Sequence, residues 1–214
     1  MSDLKLRILG GRTGCRKTLI LKEIEKLGEQ IIDLEGLANH KGSAFGWIGE
    51  EPQPSTQQFE NDLYDRIAEL DPERPVWVEN ESKSVGRVYI PDQFWATMKA
   101  APLIHLEVPL DIRIQHLVDQ YADGDNLEEL RESFNKIRKR LGGQHLNAAM
   151  EALANNDLAR AAEIALVYYD KAYDYNLSVN DAPAIHVFEA ERLNVRETAE
   201  QLVEYCESNK LGLK

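Results

Sequence analysis

Eight consecutive residues carry the densest chemistry in the chain: Gly11-Arg12-Thr13-Gly14-Cys15-Arg16-Lys17-Thr18. Glycine backbones can turn several amide N–H groups onto one anion. Lys17 adds a mobile cation, and the Thr18 hydroxyl is placed for Mg²⁺. An apolar run, Leu4 to Leu9, precedes the glycines, and Leu19-Ile20-Leu21-Lys22-Glu23-Ile24 continues as a helical pattern. Strand, glycine-rich turn and helix start together make the phosphate-binding arrangement of a P-loop, at the positive end of a helix. The usual pattern is G-x-x-x-x-G-K-[ST]. Arg16 occupies its second glycine position and brings another positive charge. The loop is therefore read as still anion-binding, and the same change counts against ATP or GTP binding in the ordinary way. A bare glycine-rich turn without a ligand is the alternative. Cys15 is read as a small loop residue rather than a reactive thiol.

Acids stand where such a loop would need them. Pro75-Val76-Trp77-Val78-Glu79 is an apolar strand ending in a carboxylate. Glu79 is the candidate for a Mg²⁺ shell together with Thr18, and Glu81 is a second carboxylate. Lys17, Glu79 and Glu81 are the catalytic candidates. Gln30 to Leu34 reads as a strand leading into a polar, glycine-rich loop from Glu35 to Gly46. Asp33, Glu35, Asn39, His40, Lys41 and Ser43 are its candidate substrate residues, since a loop of this length at a strand end is a binding element more often than filler. Lys83 and Arg87 follow Glu81 and, with Arg113, are candidates for a phosphate clamp.

The elements that must position these groups alternate strand and helix up to Val108. That order predicts an α/β fold, P-loop NTPase-like, with a mainly parallel sheet. A helix over 18–28 ends at Gly28, Ser55 caps another from Thr56 to Leu70, and Asp92 opens one to Lys99. His105 and Glu107 alternate with apolar residues in the strand Leu103–Val108 and so share a face. From Pro109 to Tyr175 the pattern is wholly helical, and its tyrosines are read as packing residues. Residues 184–188 form a last strand and 192–206 a last helix. The chain divides into a P-loop core, 1–108 and 182–214, and a helical subdomain or lid, 109–181.

Composition narrows the class. The 214 residues carry a net charge of −12, so any contact with RNA must be local. The basic run Lys136–Arg140 is read as a solvated helix face paired with Glu128, Glu129 and Glu132. No run of 18 apolar residues exists, so no membrane span is expected. Two cysteines, Cys15 and Cys206, make no disulfide framework, and the cytoplasm is the expected location.

The quoted stretches resemble tRNA 2-selenouridine synthase. The match comprises Gly11–Thr18, the segment Asp33-Leu34-Glu35-Gly36 through Gly46, Gln57–Asn61, Val76–Ser82 and Gly86–Pro91. It extends over nearly the whole chain but only over the P-loop half of the usual enzyme. The resemblance implies a transferase that replaces sulfur by selenium in 2-thiouridine at the tRNA wobble position. Selenophosphate would be the selenium donor, and geranyl diphosphate would supply an S-geranyl intermediate. By similarity, Gly11, Gly14, Lys17 and Thr18 would hold a phosphate or diphosphate, with Mg²⁺ as the metal. The Asp33–Gly46 segment would form part of the substrate site, with Glu79 and Glu81 as its acidic edge. Asn80 stands where the family is expected to carry an acid. The family generally has an N-terminal rhodanese-like domain with a catalytic cysteine, and this chain begins at the P-loop strand. The resemblance therefore implies either a separate rhodanese-domain protein as partner or a truncation.

Two other classes suit the same strand–helix order. An ATP- or GTP-dependent small-molecule kinase would use Arg113 as a lid residue. A regulatory module would bind nucleotide without chemistry. Neither accounts for the Asp33–Gly46 stretch.

Overall fold

The first strand, β1 (Leu6–Gly11), is buried at every position because it has a parallel neighbour on each side. On one side Leu9 lies opposite Glu79 of β3 (Val76–Glu79), and on the other Gly10 lies opposite His105 of β6 (Leu103–Glu107). β2 (Gln30–Ile32) adds to β3, and β7 (Ile185–Glu189) adds to β6. The sheet order is β2-β3-β1-β6-β7, all parallel. A hairpin of β4 (Ser84–Val85) and β5 (Val88–Tyr89) stands apart from it. Chain order reverses at β1, so a crevice opens beyond the carboxyl end of that strand. Gly11, Glu79 and Glu107 all end there.

The computed structural model describes residues 4–122, 126–179, 182–190, 192 and 194–212. Of the segments predicted above, residues 1–3, 123–125, 180–181, 191, 213–214 and residue 193 of the expected 192–206 helix lie outside these. Among the described residues, no helix is long and apolar enough to cross a membrane.

Alternating side chains along the strands fill two cores. Leu6, Ile8, Val76 and Val78 pack with Phe59 and Leu63 of α3 (Thr56–Ala68) and Phe94 of α4 (Asp92–Lys99). Leu9, Trp77, Ile104 and Leu106 face the other way. They meet Ile20, Leu21 and Ile24 of α1 (Lys17–Lys26) and Ala199 and Leu202 of α9 (Val195–Ser208). A third core joins α6 (Leu127–Leu141), α7 (Gly143–Ala154) and α8 (Leu158–Ser178), and Phe45 and Ile48 insert into it. The Phe45 and Phe134 rings meet edge to face, with centroids 5.0 Å apart. α5 (Leu110–Ala122) links β6 to these helices and packs on α8.

Most predicted elements fall where the pattern puts them, and Ser55 Oγ accepts from Gln58 N at 3.1 Å as a helix cap. One stretch differs. The expected strand Gln30–Leu34 stops at Ile32, and the expected loop begins as a helix, α2 (Leu34–Ala38). Asp33 caps it by accepting from Gly36 N at 2.7 Å. Leu34 and Ala38, four apart on one helical face, are both fully buried. The basic run on α6 is largely a solvated face. Lys136 pairs with Glu132 at 3.0 Å and lies 4.3 Å from the Trp47 ring centroid, whereas Glu128 pairs with Arg131.

Candidate active site

β1 leads straight into the glycine-rich loop, and α1 begins at Lys17. Its opening N–H groups have no partner within the helix and no side-chain cap. Gly14 has φ +87°, and a Cβ there would lie 2.9 Å from the Arg113 carbonyl oxygen. The departure from the usual pattern resolves at Arg16. It adopts the left-handed conformation, φ +59° and ψ +28°, that glycine normally supplies. The backbone shape of a P-loop is thus kept despite the Cβ, at a cost of roughly 1–2 kcal/mol. Arg16 lines the cleft, and its Nε is buried with no hydrogen-bond partner among the described residues. Asp119 lies 3.7 Å from its Nη2. Arg16→Gly is expected to raise unfolding stability by about 1 kcal/mol. The same change should weaken binding of inorganic diphosphate about tenfold, since a cation is lost. Denaturant titration and calorimetry measure the two effects, and their opposite signs are the diagnostic.

The cleft, of about 700 Å³, opens over this loop. Lys17 Nζ donates to the Gly11 carbonyl at 3.1 Å, and Thr18 Oγ1 donates to Glu35 Oε2 at 2.8 Å. Asp33, Glu35, His40, Lys41 and Ser43 all line the cleft, so the structure brings most of the predicted substrate residues to the loop. Several have structural partners as well. Lys41 Nζ bonds the Ile48 carbonyl and pairs with Glu50 at 2.7 Å, and Ser43 Oγ accepts from Phe45 N. His40 is 8 % exposed, and its Nδ1 has no partner among the described residues. Asn39 is not a cleft residue; it ends α2 and donates to the Pro52 carbonyl. Gly42 shows why the loop is glycine-rich. A Cβ there would lie 2.9 Å from carboxylate oxygens of both Glu35 and Glu81.

Three carboxylates gather opposite Lys17 and Thr18. Glu79 is fully buried, and neither of its oxygens has a hydrogen-bond partner among the described residues. Burial, then the charges of Glu35 and Asp33, hold its carboxyl well above the ordinary range. Burial also raises Glu35, opposed by Lys17 and by the Thr18 hydroxyl. Glu81, at the cleft wall, is pushed up to about 8 by burial and by Glu35. A carboxyl raised on folding makes the native state bind more protons than the unfolded chain, so stability falls as pH rises between the two values. Glu81 should therefore cost the unliganded protein stability from about pH 5 to about pH 8. Glu81→Gln is expected to flatten that decline, read as urea midpoints across the range.

Lys83 and Arg87 stand outside the cleft. Lys83 pairs with Asp92 and bonds the Ile90 carbonyl, and Arg87 sits in the β4–β5 turn, where its N–H donates to Gln53. Arg113 lies beneath the loop rather than over it. Its guanidinium binds both oxygens of Asp170, at 2.7 and 2.8 Å, and donates to the Thr13 carbonyl at 3.2 Å.

The sequence reading missed one face of α8. Tyr169 accepts from Ala44 N at 3.0 Å, and Asp170 holds Arg113. Tyr173 lines the cleft and lies 2.9 Å from His105 Nδ1, and Asp174 holds Arg12 at 2.8 Å. Polar and aromatic residues at i, i+1, i+4 and i+5 share one helical face, a spacing that marks a stripe without telling what it meets.

An amide-lined turn lies at the switch point of a parallel sheet, with a lysine and a hydroxyl facing carboxylates. The fold is that of a P-loop protein. The sequence narrows this further. A family model described as the tRNA 2-selenouridine synthase AAA domain matches residues 4–206, and the chain belongs to that family. A tRNA 2-selenouridine synthase of Sulfurovum sp. (strain NBC37-1) is 38 % identical over 210 residues, which is 84 % of this chain and 56 % of that protein. One from Alcanivorax borkumensis is 36 % identical over 83 % of this chain and 56 % of its own length. One from Psychromonas ingrahamii is 32 % identical over 97 % of this chain and 61 % of its own length. The chain thus spans a little over half the length of these relatives. Among solved structures, a shikimate kinase from Acinetobacter baumannii in complex with shikimate aligns at TM-score 0.45 and 18 % identity, covering 98 % of this chain and 97 % of its own. A tRNA isopentenylpyrophosphate transferase from Bacillus halodurans aligns at TM-score 0.47 and 9 % identity, over 95 % of both chains.

Proposed function

We propose that this chain is the P-loop part of a tRNA-modifying transferase. It would replace sulfur by selenium in wobble 2-thiouridine, using selenophosphate, through an S-geranyl intermediate made from geranyl diphosphate. Besides family membership, one observation carries the reading. The anion cradle abuts an apolar slot of about 50 Å³ lined by Phe45, Leu117, Leu130, Phe134 and Leu166, and the two share walls at Thr13, Ser43, Leu117, Tyr121 and Tyr169. An ester joining a diphosphate to a hydrocarbon chain would place its anion in the cradle and the first carbons of its chain at the mouth of this slot.

In this reading the loop amides, Lys17 and Arg16 take the diphosphate. Charge accumulates on it as its C–O bond breaks, so donors fixed around it lower the barrier. The two orphaned oxygens of Glu79 and the Glu35 carboxylate at the Thr18 hydroxyl suit a cation. Thr18, Glu79 and Glu35 would hold Mg²⁺, which when bound would offset the diphosphate charge. Among the described residues, no group of three or more His, Cys, Asp or Glu side chains is arranged to hold a metal by itself. Ligand phosphate oxygens would therefore complete the shell, as is usual for Mg²⁺. Residues 109–181 would act as a lid on the core formed by 1–108 and 182–214. The selenation step would draw on a rhodanese-like domain, carried by a separate protein or by a longer form of this chain.

The small-molecule kinase reading asks for a free lid arginine, and Arg113 is held by Asp170 and Thr13 instead. The test incubates the protein with 2-thiouridine tRNA and geranyl diphosphate and follows the nucleosides by mass spectrometry. S-geranyl product without ATP consumption is expected. No product, even with a rhodanese protein and selenophosphate present, would overturn the reading.

A further inference from the structure

A chain of side chains runs from the cleft to the protein exterior beside the phosphate loop. The Tyr173 hydroxyl, at the cleft wall, is 2.9 Å from His105 Nδ1, and His105 Nε2 is 3.0 Å from Glu107 Oε2. His105 is 2 % exposed, whereas the Glu107 side chain is 44 % exposed. The other Glu107 oxygen is held by Arg12 Nη1 at 2.5 Å, and Arg12 is held in turn by Asp174.

The partners decide the proton positions. Despite its partial burial, Glu107 is kept below its ordinary range by Arg12 and His105, so it is a carboxylate that only accepts. His105 Nε2 must then be the donor. Burial lowers the His105 pKa against the opposing pull of Glu107, so the ring is neutral and Nδ1 accepts. The Tyr173 O–H therefore donates to Nδ1. Burial raises the phenol against the opposing pull of Lys17, the Gly11 backbone and Asn80, so no standing phenolate is present. The phenol oxygen stands beside Gly10, and Tyr173 lines the cleft together with Asn80 and Lys17.

We propose that Tyr173, His105 and Glu107 form a proton relay in which the Tyr173 oxygen takes a proton from the acceptor nucleophile bound over the phosphate loop. The inference rests on the transferase reading and adds the base that it lacks. Alkylation of 2-thiouridine on sulfur forms a C–S bond and breaks the C–O bond of the allylic diphosphate, which leaves with the electron pair. The base must then lose its N3 proton to become neutral. That proton passes to the Tyr173 oxygen while the phenol's own proton moves to His105 Nδ1. The imidazolium so formed rests against Glu107, and its proton leaves to solvent. Tyr173 is the catalytic residue of the three, and His105 and Glu107 act through it.

The charged and titratable groups facing His105 are Glu107 on its own strand, Arg12 of the loop, and Tyr173 and Asp174 of α8. The test measures single-turnover S-geranyl formation on 2-thiouridine tRNA across pH, with ¹⁵N spectra of His105. Tyr173→Phe should lower the rate about a hundredfold and leave the geranyl diphosphate KM within about threefold. The wild-type rate should rise with pH along a limb that His105→Gln abolishes. The His105 ring should carry its proton on Nε2, with an Nδ1 resonance that Tyr173→Phe moves. A Tyr173→Phe rate within threefold of wild type, or an acid limb unchanged in His105→Gln, overturns the relay. If the wild type makes no S-geranyl product, the transferase reading falls and the spectra decide the relay. A proton on Nε2 with an Nδ1 sensitive to Tyr173 supports it, and a proton on Nδ1 overturns it.

Discussion

Replacing Lys17 by alanine is expected to weaken binding of inorganic diphosphate by roughly 10²–10³-fold, about 3–4 kcal/mol, the range seen when a preorganised donor to a phosphoryl or oxyanion group is removed. Burial pulls the Lys17 pKa down, but the surrounding Cys15, Glu35 and Glu81 raise it further, so the ammonium stays charged at neutral pH. Without a ligand it rests on the Gly11 carbonyl, a contact it can exchange for an anion without moving the loop. Its loss also deprives Glu35 and Glu81 of a nearby cation, which raises both carboxyls further. Lys17→Arg keeps the charge but not the compact ammonium, and should recover only part of the affinity. Calorimetric titration with diphosphate measures both. An alanine variant that binds within twofold of wild type would mean that the loop holds no anion.

The second large effect concerns Arg113. Arg113→Met should lower unfolding stability by about 3 kcal/mol, a Tm drop of roughly 6–12 °C for a chain of this size. The guanidinium is nearly buried, with a side-chain exposure of 5 %, and both Asp170 oxygens lie on it. Removing it strands the Asp170 carboxylate and leaves the Thr13 carbonyl without this donor. The double variant Arg113→Met with Asp170→Leu should recover much of the loss, because the unpaired charge is then gone too. Diphosphate affinity should stay reduced in both, since nothing replaces the donor to Thr13. Urea unfolding of the single and double variants separates the two effects. Equal stability of Arg113→Met and wild type would show that α8 does not brace the phosphate loop.

Local pattern was enough for the strand–turn–helix at residues 6–26, for Glu79 at a strand tip and for the shared face of His105 and Glu107. In each case the signal lies within a few residues, as apolar period, glycine placement or alternation. The helix at Leu34–Ala38 escaped because it is barely more than one turn. Its cap, Asp33, reads equally well as the end of a strand.

Chain order and side-chain type alone settled that an α/β sheet carries a glycine-rich, cationic turn at the end of its first strand, because backbone freedom and charge there are set by neighbours in sequence. Only the folded chain decided that Arg16 takes a glycine's left-handed backbone, that Arg113 braces the loop instead of capping it, and that Tyr173 reaches His105. Those partners lie 57 residues apart for Arg113 and Asp170 and 68 for Tyr173 and His105. Periodicity tells which residues of α8 share a face, but packing of the helical block onto the sheet edge chooses what that face touches.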